Sequence, residues 1–553
     1  MERIWQAQYP KGVARDIDPN RYASVVDFFL KSCEKFADRP AFTHMGRTLS
    51  YRQLEQESRK FAAYLQQHTS LKPGDRIALQ MPNLLQYPVI MFGAMRAGLI
   101  LVNTNPLYTE REMQHQFADA GVKAIVILDF FAHKLEEILP HTEIKHVILT
   151  QVGDYQPNPK RQIIQFVLKK IKKMIPDYQL PDAVWYRSTL KLGAKARLSD
   201  HVWQRDDVAI LQYTGGTTGV AKGAMLTHRN LVANTLQNCA WMAPLLKEGA
   251  ETIMTPLPLY HVFSLVVNCM TFIHYGGLNV LITNPRDLKA FTREMKKHPF
   301  TVLTGVNTLF NGLLNYAPFR QLDLKALKVV VAGGMALQRP IAERWKELTG
   351  VQIHEGFGLT ECSPVTHCNP LVGENRIGTI GLAFPSTDIK LVDEAGNEVA
   401  PGERGELCIM GPQVMKGYWN RPDETALVLK DGWLRTGDVA TMDPDGYFRI
   451  VDRIKDMILV SGFNVYPNEV EEALAGHPDI LECGVIGVPD PESTETVKAY
   501  VVKKPGSTLT EEAVKAYAKE VLAGYKCPKY VEFRTELPKT NIGKILRRHL
   551  KEA

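Results

Sequence analysis

The stretch YTGGTTGVAKG, residues 213–223, holds four glycines, three threonines and one lysine. Glycines let backbone N–H groups converge on an anion, threonine hydroxyls add donors, and Lys222 adds charge, so the composition points to phosphate. A Walker A loop needs G-x-x-x-x-G-K-[ST] between a strand and a helix. Here Lys222 is followed by Gly223, residues 208–212 are strand-like, and 224–226 are again short and apolar, with a helix starting only after Thr227. The context is strand, loop, strand. A flexible Gly/Thr surface loop is the plain alternative, and the ordered spacing and the neighbours described below argue against it.

Working outward, apolar β-rich runs alternate with helical patterns: 76–80 as strand, 89–101 as helix, 124–128 as strand. That alternation predicts an α/β fold with largely parallel sheets flanked by helices. From 390 to 450, short strands broken by turn signals such as Pro401-Gly402 predict a small antiparallel β region. After Asp452-Arg-Ile-Lys455 a compact α+β unit begins. Its elements are a helix over 467–475 opened by proline and closed by Gly476, strands over 484–488 and 497–502, a helix over 511–523 and a last strand over 530–533. About a hundred residues suffice for a domain of its own.

The 553 residues are 45% hydrophobic and 23% charged, enough for a large core and more than one domain. A net charge of +6 fits an anionic ligand or surface and specifies neither. The N-terminus lacks the apolar core of a signal peptide, and the longest apolar run, 87–102, contains Arg96 and reads as a buried helix. Eight cysteines lie at no paired spacing, which favours a reducing cytoplasm over disulfides. Cys362 and Cys368 flank His367 without the second ligand pair of a zinc site. Residues 161–175, RQIIQFVLKKIKKMI, project seven apolar residues into an arc of roughly 140° with four lysines on the rest of the wheel. This is either a helix lying in a membrane interface or a surface helix packed on the core with a solvated lysine face.

Three further clusters accompany the phosphate stretch. EGFGLTE, 355–361, follows a strand at 351–353 and offers an aromatic face, a hydroxyl and a carboxylate on a Gly-rich loop, where Glu361 can bind Mg²⁺. WLRTGD, 433–438, places Asp438 on a turn, able to accept hydrogen bonds from ribose hydroxyls. PKTNIGK, 538–544, carries Lys544 on a glycine-hinged loop. A core aromatic, a solvated turn acid and a basic tail would explain each alone, but not all three in this order.

The ordered set YTGGTTGVAKG, EGFGLTE, WLRTGD, VDRIKDMILVSG and PKTNIGK resembles the acyl-adenylate-forming (AMP-binding) superfamily through essentially the whole chain. Runs such as MPNLLQYPV, LITNPRD and VSGFNVYPNEVE look most similar to bacterial long-chain fatty acid–CoA ligases. The resemblance implies a large N-terminal domain (1–452), a hinge (453–456) and a small mobile C-terminal domain (457–553). It implies two steps: a fatty carboxylate attacks the α-phosphate of ATP to give acyl-AMP and pyrophosphate, then the thiol of coenzyme A displaces AMP. Such a product feeds fatty acid degradation.

By the same resemblance Tyr213, Thr214, Gly215, Gly216, Thr217, Thr218, Gly219 and Lys222 hold the β- and γ-phosphates. Thr214 and Glu361 bind Mg²⁺, with Thr217 the alternative to Thr214. Phe357 and Gly358 pack on adenine with Gly333 and Gly334, Thr360 contacts the α-phosphate, and Asp438 takes the ribose beside Arg453. Lys544 bridges carboxylate and phosphate during adenylation, Lys455 is the hinge residue, and Gly462 approaches the pantetheine arm. His261 matches a position beside the acyl site, a buried structural histidine being the open alternative. Val262, Phe263, Gly305 and Gly333 are candidate lining for an apolar acyl tunnel.

The stretch departs from the family pattern at Gly215, where serine is common, at Val220-Ala221, where proline often precedes the lysine, and at Asn307, where proline is common. Phe357 stands for a frequent tyrosine, keeping the stacking face without the hydroxyl. Leu459 and Ser461 replace lysines seen in some aryl-acid ligases, which lowers that reading. A medium-chain or aryl acid–CoA ligase, or an acyl-AMP ligase loading a carrier protein, are the alternatives. A lipid substrate adds weight to peripheral association with the cytoplasmic membrane face, while the 161–175 segment could equally serve a homodimer. No nucleic acid partner is expected.

Overall fold

The computed structural model describes residues 3–199, 201–214, 221–461, 463–490, 493–539 and 545–551. The expected sites Gly215, Gly216, Thr217, Thr218, Gly219, Gly462 and Lys544 lie outside the described residues. The flanks of the opening stretch form the expected antiparallel pair, strand Val208–Thr214 against strand Lys222–Thr227, with Thr214 opposite Lys222. Thr227 then starts the helix His228–Met242. Its hydroxyl accepts from the Asn230 N–H while the Asn230 side chain returns to the Thr227 N–H, so two otherwise orphaned donors are satisfied.

This hairpin closes one end of a seven-stranded sheet. In spatial order its strands are Val184–Trp185, His146–Thr150, Val122–Leu128, Arg76–Gln80, Ile100–Asn103, Val208–Thr214 and Lys222–Thr227, all parallel except the last. A nine-stranded sheet carries the EGFGLTE segment. Its centre runs Ile353–Gly358, Val329–Ala332, Val302–Gly305, Thr252–Thr255, Leu278–Leu281, in parallel. One hydrophobic core joins both sheets through helices such as Val25–Lys35, Tyr51–His68 and Gln86–Arg96. Phe29 and Phe92 stack there at 3.9 Å, each fully buried and each contributing about 2–3 kcal/mol of burial. A small sheet of Asp388–Val392, Gly405–Met410, Leu429–Lys430, Trp433–Met442 and Phe448–Arg453 is antiparallel throughout. The C-terminal sheet, Ile458 to Arg534, is covered by helices Pro467–Ala475 and Glu511–Val521.

Four sequence expectations need correction. The helix read over 89–101 is Gln86–Arg96. It ends because Gly98 takes the left-handed conformation (φ +90°), freeing Ile100–Asn103 to join the sheet. The strand read at 351–353 is Ile353–Gly358, so Glu355, Gly356 and Phe357 sit on its end rather than on a loop; pairing with Val365–Cys368 extends it. Asp438 lies within strand Trp433–Met442, not on a turn, because Arg453 pairs opposite it. Residues 161–175 do not form one helix. An α-helix, Lys160–Phe166, passes into a wider π-turn, Val167–Ile171, and stops short of Pro176, which disfavours helical backbone before it. Ile163, Phe166, Ile171 and Met174 are consequently exposed, Ile171 at 65%, while Ile175 is buried.

At the junction after Arg453, the short helix Arg547–Lys551 returns to the last strand of the small sheet. The Arg547 guanidinium meets three carboxylates: Asp452 at 3.2 Å, Asp456 at 3.4 Å and Glu471 at 2.7 Å. Among the described residues no helix is long and apolar enough to cross a membrane, and no cluster of His, Cys, Asp or Glu is arranged to hold a metal by itself. The eight cysteines are unpaired.

Candidate active site

The strands that carry the motifs end on one cleft. Strand Val329–Ala332 delivers Gly333 and Gly334, strand Ile353–Gly358 delivers Phe357, and the turn Thr360–Cys362 follows directly. Such carboxyl ends of parallel strands are where α/β sheets bind ligands. Gly358 is required there: a Cβ would stand 2.1 Å from the Pro364 carbonyl oxygen, so only glycine lets the two backbones pass.

Against these residues opens a partly enclosed, mostly apolar pocket, the kind of concave surface that takes small-molecule ligands. Gly333, Gly334, Phe357, Gly358 and Thr360 line it together with His261. Its wall is apolar, with Trp241, Met242, Val262, Phe263, Val267 and Phe384 among the lining. Of the four predicted tunnel residues, Val262, Phe263 and Gly333 line it; Gly305 does not, its Cα facing the Phe310 ring instead. His261 has its Nδ1 accepting from the Phe263 N–H at 3.4 Å, and burial lowers its pKa to about 4. It is a neutral imidazole at physiological pH and a weak base, which favours a positioning or packing part.

The hairpin of Val208–Thr214 and Lys222–Thr227 meets the Thr360–Cys362 turn through a segment the sequence reading passed over, Met415 to Glu424. Backbone bonds sew it to the hairpin: Trp419 N–H to Gly223 O at 2.8 Å, Met225 N–H to Gly417 O at 2.9 Å and Lys416 N–H to Met225 O at 3.0 Å. The Tyr418 ring lies under the Lys222 ammonium at 5.3 Å, while its hydroxyl donates to Glu361 Oε1 at 2.7 Å. Lys222 pairs with Glu424. Arg421 sits 3.7 Å from Glu424 and bonds Asp119 at 2.6 Å, and Asp119 accepts from Tyr213 Oη at 2.6 Å. Tyr213 thus supports the strand from behind, as a buried phenol held by Asp119. A sequence signal for this segment existed in KGYWNRPDE, where an aromatic pair stands between Gly417 and Pro422 and two basic residues are followed by two acidic ones, but nothing in it names its partners.

The ribose candidate is also supported from the side. Asp438 is buried and pairs with Arg453 at 3.1 Å from the neighbouring strand. Lys455 follows two residues on. The protein packed around it, then Arg453, push its pKa down to about 8, against the opposing pull of Asp456, Asp438 and Glu361. Asp438, Arg453, Lys455 and Glu361 therefore share one electrostatic neighbourhood. Glu355 is a second residue missed in the sequence. Its carboxyl is buried beside the Gly333–Gly334 turn, accepts from the Leu337 N–H, and is pushed up to about 8 by burial; its Oε2 has no hydrogen-bond partner among the described residues.

The donor set suits the groups the motifs imply. Mg²⁺ takes oxygen ligands, and the Glu361 carboxylate and Thr214 hydroxyl are hard oxygen donors on the two segments that Tyr418 bridges. Phe357 offers a ring face and Asp438 an acceptor for a nucleoside.

Residues 29–419 match the family model described as AMP-binding enzyme, and residues 469–544 match that of the AMP-binding enzyme C-terminal domain. The chain is 54% identical over 552 residues to a long-chain-fatty-acid–CoA ligase of Escherichia coli O157:H7, spanning 100% of this chain and 98% of that protein. It is 40% identical over 554 residues to a long-chain-fatty-acid–CoA ligase of Bacillus subtilis (strain 168), with the same coverage. Among solved structures, ATP-bound MatB from Rhodopseudomonas palustris superposes with a TM-score of 0.79 at 28% identity, over 95% of this chain and 98% of that one.

Proposed function

The chain belongs to the AMP-binding enzyme family and is an AMP-forming long-chain fatty acid–CoA ligase, and from that premise we propose how its residues divide the two half-reactions. The acyl chain enters the apolar cavity behind Phe357 and Gly333 and leaves its carboxylate at Thr360. ATP lies with adenine between Phe357 and the Gly333–Gly334 turn, its ribose on Asp438 and its terminal phosphates on the hairpin, where Thr214 and Lys222 are placed. Mg²⁺ held by Glu361 and Thr214 would neutralise phosphate charge. The chain's own part is positioning and charge stabilisation around a crowded anionic centre, since the carboxylate itself is the nucleophile. One observation carries this reading: Tyr418 touches both Lys222 and Glu361, so the hairpin meets the EGFGLTE segment next to Thr360, which lines the cavity.

Residues 1–452 and 457–553 then act as two bodies turning about Lys455, with Lys544 brought in for adenylation and withdrawn for thioesterification. The Arg547 cluster sits at that turning point. Arg453 braces Asp438, and Gly462 is the position we assign to contact with the pantetheine arm. The exposed apolar residues Ile163, Phe166, Ile171 and Met174, beside Lys170, Lys172 and Lys173, support peripheral docking on an anionic bilayer near the source of the substrate. In this reading the enzyme works at the cytoplasmic membrane face and supplies fatty acid degradation.

The test is product analysis with ATP, Mg²⁺ and palmitate, with and without coenzyme A. Pyrophosphate and AMP, with palmitoyl-CoA only when coenzyme A is present, is the expected outcome; ADP and inorganic phosphate would overturn it. Lys544→Ala is expected to cripple adenylation and spare much of the thioester step from supplied acyl-AMP, and equal loss of both steps would refute its assigned role.

A further inference from the structure

We propose that Glu424 is the resident counter-anion of the phosphate site: it holds Lys222 while no phosphate is bound, yields it to the incoming pyrophosphate moiety of ATP, and reclaims it as pyrophosphate leaves. The inference rests on the reading of Lys222 as a phosphate ligand.

Three features of the segment carry it. First, Lys222 is already occupied. Its ammonium is paired with the Glu424 carboxylate above the Tyr418 ring, so a phosphate must displace that partner or share the lysine with it. Second, the pair can open. Both side chains are about one-third exposed, at 32% and 34%, and partly solvated ion pairs are weak. A diphosphate brings more charge and more acceptor oxygens than one carboxylate, so it wins the exchange. Third, Glu424 has somewhere to go. Arg421, three residues earlier, lies 3.7 Å away and is itself fixed by Asp119 at 2.6 Å. When Lys222 turns to phosphate, the carboxylate falls back on Arg421 and is not left unpaired. The backbone bonds from 416–419 to the hairpin hold Glu424 in register with Lys222.

A placeholder of this kind predicts the sign of a mutational effect. Removing the competitor tightens phosphate binding, whereas removing a residue that merely orients Lys222 loosens it. The probe is inorganic pyrophosphate with Mg²⁺, titrated calorimetrically into the full-length enzyme and its variants, alongside pyrophosphate inhibition of turnover. Glu424→Gln and Glu424→Ala are both expected to bind pyrophosphate roughly two- to five-fold more tightly, the range an exposed ion pair spans, and to be inhibited by it at correspondingly lower concentration. In a Lys222→Ala background the Glu424→Gln effect should vanish, since Glu424 competes with phosphate only through Lys222. Unchanged or weaker binding in both Glu424 variants, with Lys222→Ala clearly weakened, would overturn the placeholder and leave the lysine's role standing. Unchanged binding in Lys222→Ala would instead refute the reading on which the inference rests.

Discussion

Replacing Arg547 with methionine tests whether the ion cluster after residue 452 holds the C-terminal sheet in place. The guanidinium is the shared partner of Asp452, Asp456 and Glu471, and its neighbour Asn468 donates its N–H to Asp452 at 2.7 Å. Asp452 is 0% exposed, so water cannot replace the lost cation. Methionine keeps most of the volume and removes the charge. Breaking a buried pair from one side costs about 3–5 kcal/mol, which is roughly a hundred- to several-thousand-fold in an opening equilibrium.

Amide hydrogen exchange by mass spectrometry reads that factor locally, in the helix Pro467–Ala475 and the strands Ile480–Asp490 and Thr494–Lys503. The pH dependence gives the sign. Burial already raises the Asp452 and Glu471 pKa values even with Arg547 present. Without it they rise further, so the folded variant holds protons that the unfolded chain releases near its ordinary carboxylate pKa of about 4. A group raised in the folded state stabilises below its unfolded pKa and loses that contribution as pH climbs through the folded pKa. The deficit of Arg547→Met, corrected for intrinsic exchange, should therefore be smaller at about pH 5 than at about pH 7.5. Unaltered protection, or a deficit equal at both pH values, would refute the claim that uncompensated carboxylates are the cause.

Tyr418→Phe removes the hydroxyl that holds Glu361. Loss of such an outer partner should weaken Mg²⁺ dependence about 10- to 100-fold in a metal titration while the melting temperature stays near wild type, and an unchanged titration would free Glu361 from Tyr418. Glu355 is raised to about 8 by burial, so it stabilises the fold below its unfolded pKa and stability declines by a few kcal/mol from about pH 5 to 8. Glu355→Gln should flatten that decline in urea unfolding, and a slope identical to wild type would refute the assignment. Gly358→Ala forces a methyl onto the Pro364 carbonyl oxygen. It should cost about 1–3 kcal/mol or more and abolish nucleotide binding, which thermal shift with and without ATP would detect; a wild-type shift would contradict the close approach.

Local chemistry is what the chain alone could announce. Turn signals breaking up short strands located the small antiparallel sheet, and Pro467 and Gly476 bounded the helix Pro467–Ala475 to the residue. Thr227 marked the start of a helix because a cap is a contact between residues three apart. The phosphate role proposed for 213–223 comes from composition alone, because glycine, threonine and lysine suit an anion whatever lies around them. Tertiary structure decided the rest. Glu355 sits on a strand because Ala332 pairs beside it, Phe357 because His367 does, and Asp438 is extended because Arg453 lies opposite; these partners are distant in sequence or across a turn. Residues 161–175 carry a helical apolar period, yet the period records only which faces are alike, not whether a core stands ready to cover them, and here Ile163, Ile171 and Met174 lie exposed while only Ile175 is fully covered. Lys222 and Glu361 were each readable as ligand candidates, but that one tyrosine, 196 residues after the first of them if 222 is subtracted from 418, touches both is a fact of packing. A side chain's type is local and follows from its own chemistry; its partner is fixed only when distant strands close on each other and exclude the water that would otherwise serve instead.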